Sequence, residues 1–381
     1  MGGRLLGGTE LGSKKNEISE AKEIVHIVTN GRFTAGYVNF MKQYMPPYKH
    51  IFIISGIFDG NQFIDDENFY FVNKSVEILM NVEIRKLLKR SYKIIVSGVF
   101  NTHAAVAFLG KRQLQKTFLH FWGGDFYCLR EPVDRLKPFI KNVLKIYCCK
   151  KCAGLIFLIE GEYDFFFEIT HIANNHYVAP MPRNMNRKIR FADYRINENA
   201  ADGKTLYNVL VGNSATDTNH HLEVFEMLKR FPLEKMEVYV PLSYGEASYR
   251  NMILREGRRL LGGAFHPIMD YMKYEDYVRF LAGMDIGIFN NDRQQGMGNI
   301  TIMLALGKKV YARDDTSMWK RYINEGKCIY PISLIKESEF DTFVFFDEKD
   351  KQRNEMLEDN YDPVKVTKEK WSNIFTISCE S

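Results

Sequence analysis

Along the chain, short apolar runs alternate with segments whose apolar residues recur at helical spacing. Residues 24–28 form a β-rich run closed by Thr29-Asn30-Gly31, a turn signal. Residues 51–54 form a second run, closed by Ser55-Gly56. Val76, Leu79, Met80, Ile84, Leu87 and Leu88 then fall on one face of a helix. Residues 93–96 read as a third strand and 104–109 as a short helix. Residues 117–121 give a fourth strand, running into Trp122-Gly123-Gly124-Asp125. Phe139, Val143, Ile146 and Tyr147 mark another helix, and 153–159 a buried strand. Strands alternating with helices predict a parallel sheet covered on both faces.

The pattern breaks over residues 180–204, which hold two prolines, several Asn and Asp, and many charges. It then restarts. Strands are expected at 207–211, 236–240, 265–268, 286–289 and 309–312. Helices are expected at about 219–230, 248–261, around Tyr277 to Ala282, and 299–306. The expected organisation is a loose arm over 1–20, a first Rossmann-like domain over 21–185, a second over 205–360, and a helical tail over 361–381. The fold class is α/β, with two parallel sheets facing a central cleft. In open α/β sheets such a cleft, at the carboxyl ends of the strands, is where ligands bind.

Composition narrows this little. At 381 residues the chain suits two domains, and 45% hydrophobic with 26% charged residues excludes extensive disorder. A net charge of +5 falls short of a dedicated nucleic-acid binder. The Gly-rich start has no apolar core of a signal peptide, and no apolar run approaches a membrane span, so the cytoplasm is the expected compartment. Cys148, Cys149 and Cys152 cluster without a second pair, which makes zinc a poor fit and reduced, buried thiols the better one. The 14% aromatic content is high. Phe121-Trp122, Phe126-Tyr127, Phe165-Phe166-Phe167 and Tyr244 are expected near strand ends facing the cleft, where ring faces suit a sugar or a base.

Candidate chemistry gathers at the strand ends. Asn290 to Asn299, NNDRQQGMGN, follows a strand and opens an apolar helix. Gly296 and Gly298 let backbone amides approach an anion, the helix directs its positive end there, and Arg293 adds a planar cation suited to phosphate. Gly212 to Asn219, GNSATDTN, follows the first strand of the second domain. It offers small hydrogen-bonding groups at another helix start, and equally reads as a plain cap by Thr218 or Asn219. In the first domain Asp125, beside two glycines, is a candidate general base or a turn cap. His103, Asn30, Arg32 and Trp122 border the same side. No D-x-D flanked by apolar residues occurs; Asp65-Asp66 and Asp314-Asp315 lie in polar loops. Lys137, Lys141 and Lys145 recur every four residues on one helix face, which is either solvated or suited to an anionic bilayer.

These motifs resemble one family. His266-Pro267-Ile268-Met269, Tyr277, Leu281, Asp285-Ile286-Gly287 and the Asn290–Asn299 run are similar to the TDP-N-acetylfucosamine:lipid II N-acetylfucosaminyltransferases. Val211-Gly212-Asn213-Ser214 with Asn219-His220-His221, Pro241-Leu242-Ser243-Tyr244-Gly245 and Phe121 to Tyr127 look like further motifs of that family, so the matches reach from Phe121 to Trp319. The resemblance implies a GT-B glycosyltransferase that needs no metal or cofactor. The nucleotide diphosphate sugar would sit on the second domain, against Gly212, Asn213, Ser214, Thr218, Asn219, Tyr244, Gln294, Gln295, Gly296, Gly298 and Asn299. Arg293 would stabilise the departing diphosphate. Asn30, Arg32, His103 and Trp122 would meet the acceptor, with Asp125 as base or as a positioning group. It further implies an amino-deoxyhexose such as N-acetylfucosamine, a lipid-linked saccharide acceptor, and peripheral placement on the inner face of the cytoplasmic membrane. Two rival classes remain readable in the residues. A nicotinamide-dependent oxidoreductase would want G-x-G-x-x-G after the first strand, where Asn30-Gly31-Arg32 stands instead. A sugar-binding protein of periplasmic type would want an export signal.

Overall fold

The computed structural model describes residues 21–31, 33–57, 68–100, 102–130, 135–182, 189–196 and 205–378. The expected arm, Arg32, Asp65-Asp66 and most of the expected linker lie outside these residues, as does the side chain of His103.

The first sheet has seven parallel strands: β1 (Glu23–Thr29), β2 (Lys49–Ser55), β3 (Phe69–Val72), β4 (Lys93–Ser97), β5 (Thr117–His120), β6 (Gly154–Phe157) and β7 (His176–Val178). Their order is β3-β2-β1-β4-β5-β6-β7. The chain winds outward from β1 in one direction and then, from β4, in the other. The loops after β1 and β4 therefore part at the middle of the sheet and leave a crevice there. Two helices beside this sheet matter below, α1 (Leu136–Lys151) and α2 (Glu162–Thr170). The second sheet repeats the design with six parallel strands: β8 (Tyr207–Val211), β9 (Met236–Pro241), β10 (Phe265–Ile268), β11 (Ile286–Phe289), β12 (Lys309–Ala312) and β13 (Tyr330–Pro331). Its order is β10-β9-β8-β11-β12-β13, so its crevice lies between β8 and β11. Helix α3 (His221–Leu228) follows β8 and α4 (Met297–Ala305) follows β11.

The central strands are apolar on both faces, as helix-covered parallel strands must be: Ile24, Val25, Ile27, Val28, Ile94, Ile95 and Val96 are all fully buried. The edge strands β3, β7 and β13 lie outside the runs that read as strands in the sequence. At three and two residues, β7 and β13 are too short to carry a period.

Two expectations about helices are corrected. The face running from Val76 to Leu88 belongs to two short helices, Glu77–Met80 and Val82–Arg90. Asn81 between them is extended (ψ 117°), and its side-chain oxygen accepts from the amides of Glu83 and Ile84, capping the second helix. In α1 the apolar stripe faces outward. Phe139, Val143 and Tyr147 are exposed, whereas Lys145 is buried and donates to the carbonyl of Asp125.

The final helix, α5 (Pro363–Thr376), returns to the first lobe. Trp371, Ile374 and Phe375 are buried in the same cluster as Tyr37, Phe40 and Phe52, and Lys93 Nζ donates to the Ile374 carbonyl at 2.9 Å.

Candidate active site

In the second lobe, the turns after β8 and β11 form one unit. Gly212 has φ +69°, and a Cβ there would lie 2.6 Å from His221 Nε2 and 2.8 Å from Asn219 Oδ1, so the turn requires glycine. Asn219 Oδ1 accepts from the Asn213 amide (2.9 Å) and from Asn291 Nδ2 (3.1 Å). Its Nδ2 donates to Thr216 Oγ1 at 2.8 Å. Gln295 then stitches the β11 turn to the β8 turn. Its Nε2 donates to Ser214 Oγ (3.1 Å) and Thr216 Oγ1 (3.0 Å), and its Oε1 accepts from Thr218 Oγ1 (2.7 Å). Gly296 in the second turn sits against Asn213.

This changes how the expected donor-site residues are read. Ser214 and Asn219 are fully buried and Asn213 nearly so, with their hydrogen-bonding groups turned on one another. They shape the cradle. The partly exposed surface is Arg293, Gln294, Gln295, Gly296, Gly298, Asn299 and Thr218. No side chain caps α4, whose first turn holds Met297 and Gly298, so the start of the helix presents backbone amides and its positive pole to the crevice. Tyr244 is 45% exposed on the β9 side, its hydroxyl accepting from Asn213 Nδ2 at 2.9 Å. Asn299 Nδ2 donates to Tyr277.

In the first lobe the loops after β1, β4 and β5 meet. Thr29 Oγ1 donates to the Gly98 carbonyl (2.6 Å), and Trp122 Nε1 to Ser97 Oγ (3.0 Å). Phe33 and Phe100 pack edge-on to Trp122, at 6.2 and 6.0 Å between centroids, and each is 39% exposed. Asn30 Nδ2 donates to the Ile57 carbonyl, and its Oδ1 is buried with no partner among the described residues.

Asp125 does not face the cleft. It is fully buried, with Oδ2 accepting from the Val99 amide (2.8 Å) and Oδ1 from the Trp122 amide (2.9 Å). Burial raises its pKa to about 6 against those amides and the Lys145 charge. The short helix Gly124–Tyr127 turns its side chain inward, where it clamps the β4 and β5 loops together.

The two lobes touch at this loop. Gly123 (φ +95°) is so close that a Cβ would lie 3.1 Å from Gln294 Oε1, and one on Gly124 would lie 4.0 Å from Arg293 Nη1. A second contact joins Gly161 to Ser317, the first residue of helix Ser317–Asn324. Beside it is a residue that sequence reasoning missed. Glu162 is fully buried. Its Oε2 accepts from the Leu158 and Ile159 amides (3.0 and 3.4 Å), and its Oε1 has no partner among the described residues. Burial raises its pKa to about 8, so it is protonated at neutral pH. The available signal was an acid just after a strand end, the same placement as Asp125.

The aromatic excess went mainly to the core. Phe121, Phe126 and Phe166 are fully buried and pack together with Phe157. Of the expected cleft aromatics, Trp122 and Tyr244 stand at the crevices, Tyr127 reaches Ser317 and the Gln294 backbone across the contact between the lobes, and Phe33 and Phe100 join them. Cys148, Cys149 and Cys152 are buried free thiols whose pKa values burial pushes up. Among the described residues, no group of three or more His, Cys, Asp or Glu is placed to hold a metal ion.

Two parallel Rossmann-like sheets, meeting at loops from the carboxyl ends of their strands, make up the GT-B fold. Solved structures share this fold. A glycosyltransferase from Rickettsia africae superposes with TM-score 0.64 at 13% identity, covering 93% of this chain and 98% of that one. Anabaena HepE, solved with UDP and glucose, gives 0.62 at 10% identity, covering 93% and 100%. Sucrose-phosphate synthase from Thermosynechococcus elongatus gives 0.60 at 10%, covering 93% and 96%. At such identities the likeness establishes the fold alone. The sequence carries the narrower assignment: residues 62–333 match the family model of 4-α-L-fucosyltransferases, glycosyltransferase group 56. The chain belongs to this family and is an enzyme that transfers a glycosyl group. That assignment removes the oxidoreductase and periplasmic sugar-binding readings.

Proposed function

We propose that the enzyme transfers a deoxyhexose, an amino-deoxyhexose such as N-acetylfucosamine, from a nucleoside diphosphate to a hydroxyl of a lipid-linked saccharide, at the inner face of the cytoplasmic membrane. The second lobe (205–360) is the donor lobe and the first (21–185) the acceptor lobe. The observation that carries this reading is the joined cradle at the β8/β11 crevice, with partly exposed Arg293 at its rim and the uncapped start of α4 behind it. As the acceptor hydroxyl oxygen bonds to the anomeric carbon, the bond from that carbon to the phosphate oxygen breaks, its electron pair leaves on the diphosphate, and the hydroxyl proton passes to an oxygen of that departing diphosphate. The Arg293 guanidinium and the first amides of α4 stabilise that charge. Gln294 and Gln295 hold the rim to the first lobe and to the β8 turn. Tyr244 offers a ring face to the nucleobase. Trp122, with Phe33 and Phe100, offers ring faces to the acceptor sugar, and Asn30 borders it. Asp125 acts as a positioning residue for the Trp122 loop.

The test begins with thermal shifts against TDP, UDP and GDP, since a ligand held by the folded state raises its melting temperature. One diphosphate should stabilise the protein, and Arg293→Ala should weaken that stabilisation and lower sugar transfer by about 10²-fold or more. Wild-type binding and turnover in Arg293→Ala would remove the donor assignment. Transfer to a soluble or protein-linked saccharide in preference to a lipid-linked one would replace the acceptor.

A further inference from the structure

Helix α1 exposes what an amphipathic helix normally buries. Leu136 (74%), Phe139 (55%), Ile140 (48%), Val143 (48%) and Tyr147 (44%) are all open to solvent. At 100° per residue they fall within a stripe about 100° wide. The opposite face, with Lys145, Cys148 and Cys149, is buried on the first sheet. Exposed Lys150 and Lys151 continue the stripe beyond Tyr147, while exposed Arg135 and Lys137 border its start. Helices His103–Ala107 and Lys111–Leu114 pack beside α1, and with their connection they add exposed Phe108, Lys111 and Arg112. None of the three helices carries an acidic residue. Because α1 leads back to the start of β6, it runs antiparallel to the strands. Its first turn, with Leu136 and Phe139, therefore lies level with the strand ends that border the cleft.

We infer that this stripe is the surface by which the enzyme rests on an anionic lipid bilayer, rings and aliphatic side chains entering the headgroup boundary and the basic rim meeting lipid phosphates. The inference deepens, and rests on, the reading of the acceptor as lipid-linked. A contiguous exposed stripe of five large apolar side chains is uncommon on a soluble protein and calls for a partner. The charge chooses it: a second copy docked stripe to stripe would set one basic rim against another, whereas an anionic bilayer neutralises both rims. The arrangement also connects lipid contact to the cleft, because Lys145 on the buried face of α1 donates to the carbonyl of Asp125 in the Trp122 loop.

The full chain should sediment with vesicles of phosphatidylethanolamine and phosphatidylglycerol and not with phosphatidylcholine vesicles. Leu136→Ser/Phe139→Ser/Val143→Ser and, separately, Lys137→Gln/Lys150→Gln/Lys151→Gln should each weaken that binding at least about tenfold. Their melting temperatures should match wild type, since every substituted side chain is exposed. Phe345→Ser/Met356→Ser, exposed elsewhere, should bind as wild type does. Wild type that ignores anionic vesicles, or a stripe variant that binds them normally, overturns the inference. So does a concentration-dependent dimer that the stripe substitutions dissolve. The assay contains no sugar and no acceptor. Stripe-dependent vesicle binding therefore supports the inference even where lipid-linked saccharides are not glycosylated, a result that would instead overturn the functional reading.

Discussion

At the scale of single residues, two buried acids at strand ends decide how the first lobe is read. Asp125 spends both carboxylate oxygens on backbone amides of neighbouring loops. Asn in its place would set an NH₂ against one of those donors, so Asp125→Asn should cost about 1–3 kcal/mol in denaturant melts. Turnover should fall by less than the roughly 10²–10⁴-fold expected for loss of a general base. A drop of that size with unchanged melting would make Asp125 the base. Glu162 predicts a pH signature. Its folded pKa, about 8, lies above the ordinary 4.5, so its contribution to stability is complete below pH 4.5 and lost as pH rises through 8. His120 and His221 act oppositely. Burial holds both at about 3, so stability falls as pH drops below their ordinary 6.5. Between about pH 6.5 and 7.5 the Glu162 slope is opposed neither by these histidines nor by Lys309, whose amine burial lowers to about 8. The melting temperature should decline there in wild type by a few degrees and stay flat in Glu162→Gln.

At the scale of elements, apolar spacing located the central strands and most helices, because those segments are long enough to show a period and are covered on both faces. It could not say which side of a helix meets the protein. The α1 stripe has core spacing and faces outward, because the sheet beneath it is already covered by Lys145, Cys148 and Cys149. Spacing also passed through Asn81, where the side chain caps a new helix. Asn81→Ala should therefore destabilise the protein by about 1 kcal/mol. In an unbroken helix the same change would stabilise, since Ala is the better helix former, so a chemical denaturation curve separates the two. Of the site, the two glycine-bearing turns were legible from their residue types. That one glutamine, Gln295, joins them was not, because residues 214–218 and 295 are distant in sequence and adjacent only through the β8/β11 pairing.

At the scale of the molecule, the chain closes on itself. Trp371 on the last helix is fully buried in the first lobe, edge-on to Tyr37 and His120, with its indole nitrogen donating to the Pro180 carbonyl at 3.2 Å. Trp371→Ala should cost about 3–5 kcal/mol in equilibrium unfolding, far more than a detached tail would. Helix propensity predicts a helix there and nothing about its destination. The sequence by itself determined the α/β class, the two-fold repetition of the strand–helix pattern, and the anion-suited chemistry of the turns. Each of these rests on local spacing or on residue type. Only the tertiary structure decided that Ser214, Asn219 and Asp125 face inward, that Glu162 is a buried acid, that α1 shows its apolar stripe to solvent, and which lobe holds the last helix. Those are matters of which surfaces meet, and an apolar or ionisable side chain carries no mark of its neighbour until the chain has folded around it.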